Sequence, residues 1–303
     1  MNRCDRRRMS TDYLPTVPIA VPEYWHLPLY VPQIHHGYRR TKPLEIACGF
    51  AAISIADLVS YAATASTPSE LRRRFQLADR TRIIAVGVAR DNWLERWWHD
   101  FERPMSLLRA LGIIAVTVPN FSLFADAPRH QTLINIARLH HFAERLSNAG
   151  LPVVPHLYAE NFKDWNRWAE FLTVQSHIRF LAVEFQTALV SAQRAADYIL
   201  GISELQERVG RKLHILAIGG ARYMNALDEK GLSITVIDSQ PFMKALYRRH
   251  FNALPPHDFE WVARFTRPTE CLSPLLMHNV LEYALRLERI VSPRRAPVHA
   301  LAA

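Results

Sequence analysis

Short apolar runs alternate with amphipathic stretches along most of this chain. The runs are RIIAVGVA (82–89), GIIAVTVP (112–119), LPVVPHLYA (151–159), IRFLAVEFQT (178–187), KLHILAIGG (212–220) and LSITVIDS (232–239). Continuous apolarity over this length is the pattern of strands covered on both faces. In 130–148 the apolar positions Leu133, Ile136, Ala137, Phe142, Ala143 and Leu146 recur at steps near three or four, which predicts an amphipathic helix closed by Gly150. Ala192, Ala195, Ala196, Ile199 and Ile202 repeat the pattern over 190–206, and Gly231 closes the helix after ARYMNALDEK.

Six strand–helix units of this kind argue for a parallel sheet with helical crossovers. PLEIACGF (43–50) with a following helix makes a seventh, and ACGFAAISIADLVSYAATA (47–65) reads as a buried helix packed on the sheet. An eighth strand is sought in the Pro/aromatic-rich N-terminal segment or in HDFEWVARF (257–265). The strand count predicts the α/β class and a single-domain (β/α)8 TIM-like barrel over an open doubly wound sheet. Its expected divisions are an N-terminal arm at 1–42, the barrel at 43–290 and a flexible tail at 291–303.

Composition narrows the classes of function. A chain of 303 residues, 49% hydrophobic, can bury a sizeable core. Its net charge of +9 favours an anionic partner, and nucleic acid (DNA or tRNA) is expected, although a solvated basic surface gives the same number. An accessory protein or a homo-oligomer stays open. Cys4, Cys48 and Cys271 are isolated, which argues against a thiolate zinc site and fits a reducing, cytoplasmic setting. The N-terminus lacks the apolar core of a secretory signal, and Asp57 interrupts the one stretch that resembles a membrane span. No membrane association and no cofactor are expected.

In α/β architectures ligands gather at the C-terminal ends of the strands. The runs end in Arg90 and Asp91, in Asn120 and Ser122, in His156 with Glu160 and Asn161 beyond, in Glu184 and Gln186, in Gly219-Gly220 with Arg222, and in Asp238, Ser239 and Gln240. Charged groups at such positions cost desolvation and persist mainly where they are paired or used. Gly219-Gly220 before a helix can expose N–H donors to a phosphate, with Arg222 adding charge; a steric need for small residues is the alternative. Asp238 can act as nucleophile or base, or can cap the Pro-headed helix that follows. Glu184 and Gln186 share one strand face, and His156 is a candidate hydrogen-bond or proton-transfer partner. His156, Glu184 and Asp238 on separate strands leave no local metal signature, and no metal is assigned. Basic clusters near aromatics, such as Arg248-Arg249 beside Tyr247, suit phosphate contact with base stacking. Trp93, Trp97 and Trp98 read as helix packing.

Two resemblances extend this picture. VPNFSLFADAPRHQTLINIARLHHFAERLSNAGLPVVPHL resembles an uncharacterised phage and plasmid family containing domain of unknown function 4417. HILAIGGARYMNALDEKGLSITVIDSQPFMKALYRR is similar to the last barrel strands of the tRNA-guanine transglycosylase superfamily, which includes enzymes that insert 7-deazaguanine bases into DNA. The second resemblance implies a pentosyltransferase-type base exchange in which Asp238 attacks the sugar C1′. Glu184, Gln186 and His156 would hold the base. Asn120 falls where that family carries its other aspartate, and Asn cannot serve as a base. The alternative is a non-catalytic nucleic-acid- or ligand-binding barrel of a mobile element.

Overall fold

The computed structural model describes residues 16–21, 26–35, 48–62, 67–99, 101–121, 128–186, 189, 191–254, 258–267 and 269–291. Most of the expected arm, all but the first residue of the tail, and Ser122 lie outside the described residues. Eight parallel strands form the sheet: β1 (Tyr30–Ile34), β2 (Phe50–Ser54), β3 (Arg82–Val86), β4 (Ala115–Thr117), β5 (Val153–Val154), β6 (Phe180–Glu184), β7 (His214–Ile218) and β8 (Ser233–Asp238). Their order is β5-β4-β3-β2-β1-β8-β7-β6. The two ends of that row meet. His156 bridges Ala182, the Leu157 N–H donates to the Ala182 carbonyl at 2.8 Å, and the Ala182 N–H donates to the Pro155 carbonyl at 2.8 Å. The sheet is therefore a (β/α)8 TIM-like barrel, as the strand count predicts.

Helices follow most strands. They are α1 (Ile55–Ala62), α2 (Pro68–Arg74), α3 (Asp91–His99), α4 (Glu102–Ala110), α5 (Arg129–Asn148), α6 (Phe162–Val174), α7 (Ala192–Arg208), α8 (Met224–Glu229), α9 (Gln240–Leu246) and α10 (Ser273–Val291). α5 and α7 match the periodicity, and Gly150 adopts φ 84° after α5, a left-handed turn that suits glycine. Two expectations need correction. The stretch 47–65 is not one helix, because its first half is β2: a run of small apolar residues buried on both faces fits a strand and a helix equally well by pattern. The eighth strand lies in the first of its two expected places, as β1 within the Pro/aromatic segment, so it is the barrel's expected start at 43 that moves back into 1–42. HDFEWVARF forms β10 (Asp258–Ala263), which pairs antiparallel with β9 (Arg249–Leu254) in a separate two-stranded sheet.

Strand side chains alternate between two apolar layers. One layer lies between sheet and helices and takes Leu181, Val183, Ile215, Ala217, Ile234 and Val236. The other fills the barrel and takes Val31, Ala52, Val86, Ala182, Leu216 and Ile237. At the end where strands begin, the interior is plugged. Val21 joins the interior layer, and His214 joins Thr235 at 2.8 Å and Ser233 at 3.0 Å. Among the described residues no helix is long and apolar enough to cross a membrane.

Candidate functional site

A cavity of about 490 Å³ opens where the strands end. β1 contributes Gln33 and, just past its end, His35; Ser54 ends β2 and Asp57 lies in the first turn of α1. The β3–α3 segment contributes Arg90, Asn92, Trp93 and Arg96. Gln186, Ile218 and Ser239 close the far wall from β6, β7 and β8.

Local chain geometry explains these placements. Ser54 ends β2 and turns directly into α1: its hydroxyl accepts from the Ala56 N–H at 3.3 Å, the pattern of a helix N-terminal cap. That turn brings Asp57 to His35, whose Nδ1 lies 3.4 Å from the Asp57 carboxylate. A carboxylate on Nδ1 fixes the orientation of the ring. α3 likewise begins straight after the β3 segment, and Arg96 Nε donates to the Asn92 carbonyl at 3.3 Å. Both Arg90 and Arg96 are exposed, and neither makes an ion pair among the described residues. Trp93 is half-buried, its ring 5.4 Å from that of Trp97, so one aromatic element of the helix faces the cavity while its neighbour packs inward.

The residues singled out from sequence divide into three groups. Arg90, Gln186 and Ser239 line the cavity. His156 and Glu184 lie on the inward face of their strands but are buried beneath it, at 4% and 7% exposure. Glu184 Oε1 accepts from the Gln186 N–H at 2.6 Å, which fixes the strand end that carries Gln186. The remaining residues serve the rim itself. Gly219 has φ 68°, and an added Cβ there would sit 2.3 Å from the Gln186 side chain. At Gly220 an added Cβ would meet Ala217 Cβ at 2.7 Å. Their N–H groups donate to the Ile237 and Ala217 carbonyls, so they are spent within the fold, and close approach accounts for both glycines. Arg222 reaches the Phe185 and Leu189 carbonyls at 3.4 and 3.3 Å. Asn120 hydrogen-bonds through its N–H to the Gly87 carbonyl at 2.9 Å.

Asp238 has the parity of Ile234 and Val236 and turns outward, away from the cavity. Its Oδ1 accepts from the Gln240 N–H at 2.8 Å and its Oδ2 from the Tyr283 hydroxyl at 3.0 Å. This is the capping role, with an added tie to α10. Burial pushes the Asp238 carboxyl above its ordinary range, against the opposing hydrogen bonds from Gln240, Tyr283 and Ser239. The Tyr283 hydroxyl is itself pushed up, chiefly by burial and then by Asp238.

Burial lowers the His156 pKa to about 4, so the ring is neutral at pH 7. Its Nδ1 meets no hydrogen-bond partner among the described residues. An unfolded histidine protonates near pH 6.5 and the folded one near 4. Between those values the unfolded chain binds the extra proton, and stability falls as pH falls. Chemical denaturation at pH 7.5 and pH 4.5 is expected to show a loss of up to about 3 kcal/mol from this group, and His156→Gln is expected to remove that part of the slope.

Together these features define a (β/α)8 barrel with a polar, cationic cavity at the C-terminal ends of its strands and a plugged opposite end. No family model and no curated protein matches the chain.

Proposed function

We propose that this barrel recognises a phosphorylated nucleoside, as part of a nucleic acid, in the cavity at its rim. The observation that carries this reading is the meeting of Arg90 and Arg96, neither ion-paired among the described residues, with Trp93 in one cavity. Guanidinium groups bind phosphate through charge-assisted, bidentate hydrogen bonds. An indole face stacks on a base, and the amides of Gln33, Asn92 and Gln186 supply donors and acceptors for base edges. About 490 Å³ falls within the usual range for a small-molecule site. α1 and α3 both begin at this rim, which adds positive helix-end potential. Calorimetric titration with nucleoside monophosphates, the matching nucleosides and inorganic phosphate tests the reading. The expected order places the monophosphates first. Monophosphates that bind no better than phosphate alone overturn it.

Base exchange is the second reading, and two observations favour it. Glu184 is a buried, inward-facing carboxylate two residues before the cavity-lining Gln186, and His35 and Asp57 form an imidazole–carboxylate pair on the cavity wall. Under this reading Glu184, rather than the outward Asp238, is the carboxylate placed to meet a sugar C1′. Exchange of labelled guanine into tRNA and DNA by the full chain is the assay. Glu184→Gln is expected to lower any exchange by at least about 10³-fold, whereas Asp238→Asn, which keeps an acceptor for Tyr283, leaves most of it. The opposite ranking returns the nucleophile to Asp238, and no exchange in the unmodified protein leaves recognition alone.

A further inference from the structure

The β9–β10 hairpin is inserted between α9 and α10, outside the barrel, and is firmly held. Buried Phe251 stacks on Phe259 with centroids 5.0 Å apart and planes at 5°, and meets Trp261 edge-on at 5.3 Å. The buried side chain of Asn279 in α10 accepts from the Phe251 N–H at 2.9 Å and donates to the Arg249 carbonyl at 2.9 Å. Both bonds fix β9 to the last helix, and its ladder with β10 carries that anchorage to the rest of the hairpin.

At the end of the hairpin next to α9 the ladder runs one step past its last pair, Arg249 with Ala263: the Arg264 N–H donates to the Arg248 carbonyl at 2.8 Å. Arg248 adopts φ 54°, unusual for a residue other than glycine. Its guanidinium donates to the Thr266 hydroxyl and, at 3.1 Å, to the Arg267 carbonyl, which ties the outgoing segment to the incoming one. The segments bearing Tyr247 and Phe265 are held side by side, with the two residues 69% and 98% exposed. Neither ring belongs to a core layer. Residues 244–267 carry five cations against two carboxylates. Arg249 and Arg267 are exposed, Arg264 lies 3.6 Å from Glu270, and Glu260 is engaged by Asn252.

Two exposed rings on a fixed backbone, with arginines at their sides, match the chemistry of a single-stranded nucleic acid: flat bases to stack and phosphates to neutralise. We infer that this end of the hairpin docks a single-stranded segment of the nucleic acid whose nucleotide occupies the rim cavity. Tyr247 and Phe265 stack on bases, and Arg249 and Arg267 contact phosphates. The inference rests on the proposed function and extends it to a polymeric ligand with a second contact region.

The test is fluorescence anisotropy of the full chain with a labelled 20-nucleotide oligothymidylate, run beside calorimetry with a mononucleotide. Tyr247→Ala with Phe265→Ala is expected to weaken oligonucleotide binding by roughly 10-fold per ring. Arg249→Ala with Arg267→Ala is expected to reduce the slope of log K against log salt by about 1.4. Both pairs leave mononucleotide binding unchanged, and Phe265→Trp retains oligonucleotide binding. Full oligonucleotide affinity in both double variants overturns the hairpin surface while the rim reading stands. Mononucleotide binding with no oligonucleotide binding does the same. Lost mononucleotide binding with a hairpin-dependent oligonucleotide signal overturns the rim reading alone. Equal affinity for phosphatidylserine vesicles or polyglutamate overturns the hairpin inference, because the patch is then a general anion surface.

Discussion

Alanine at both Arg90 and Arg96 is expected to weaken mononucleotide binding by on the order of 10²–10⁴-fold in calorimetry. A hydrogen bond to a charged group contributes roughly 1.5–3 kcal/mol, and each guanidinium supplies at least one to the phosphate. The melting temperature is expected to stay within about 1 °C of the unmodified protein, since changes at exposed positions usually fall within about 0.5 kcal/mol. Both side chains are exposed, and their one described side-chain hydrogen bond is from Arg96 to the Asn92 carbonyl. Binding of the matching nucleoside, which lacks the phosphate, is expected to change little. A double variant that binds the monophosphate as tightly as the unmodified protein removes the two arginines from the site. Raising salt is a milder form of the same experiment, because it screens exposed charges without touching the cavity walls.

Gly87→Ala is expected to be the most damaging small substitution in the barrel. A Cβ at this position would sit 2.4 Å from the Thr117 carbonyl oxygen and 2.5 Å from that of Val118. Both obstacles are backbone of the neighbouring strand segment, so no side-chain rotation relieves them. The Gly87 N–H also donates to the Thr117 hydroxyl at 2.7 Å, and its carbonyl accepts from the Asn120 N–H. Overpacking of this kind costs about 3 kcal/mol, which lowers the melting temperature by on the order of 5–10 °C. The strain falls just before Val88, Ala89 and Arg90, so ligand binding is expected to weaken as well. Gly49→Ala is the matched control. Nothing lies within 4 Å of a Cβ there, and the backbone is not left-handed, so stability is expected to hold or rise slightly. Equal melting temperatures for the two variants would falsify the close approach of β3 and β4.

The fold was legible where burial on both faces leaves a continuous apolar signature, as in IIAV of β3 and LAV of β6. It was hidden at β1, where Pro32 argues against a strand although all five residues are buried. β2 was hidden for a different reason: FAAIS runs directly into IADLV with no polar break to mark the change of period. Site residues followed the same logic. Glu184 and Gln186 interrupt an apolar strand, so their shared face stood out. Asp238 closes a strand whose residues at both parities are buried, and only the closed barrel reveals that its parity, shared with Ile234 and Val236, faces the helices. Arg90 stood out at the end of its strand run, whereas Trp93 and Arg96 come from the first turns of the helix that follows. Their cluster, ARDNWLERWW, carries the same composition as an ordinary packing helix.

The stopper formed by Val21, His214 and Thr235 makes the barrel a cup and not a conduit. Among the described residues, a ligand that enters past Trp93 and Gln186 leaves by the same side. Should the protein turn over a substrate, product and incoming substrate share that mouth, and added product is expected to slow the reaction in initial-rate measurements.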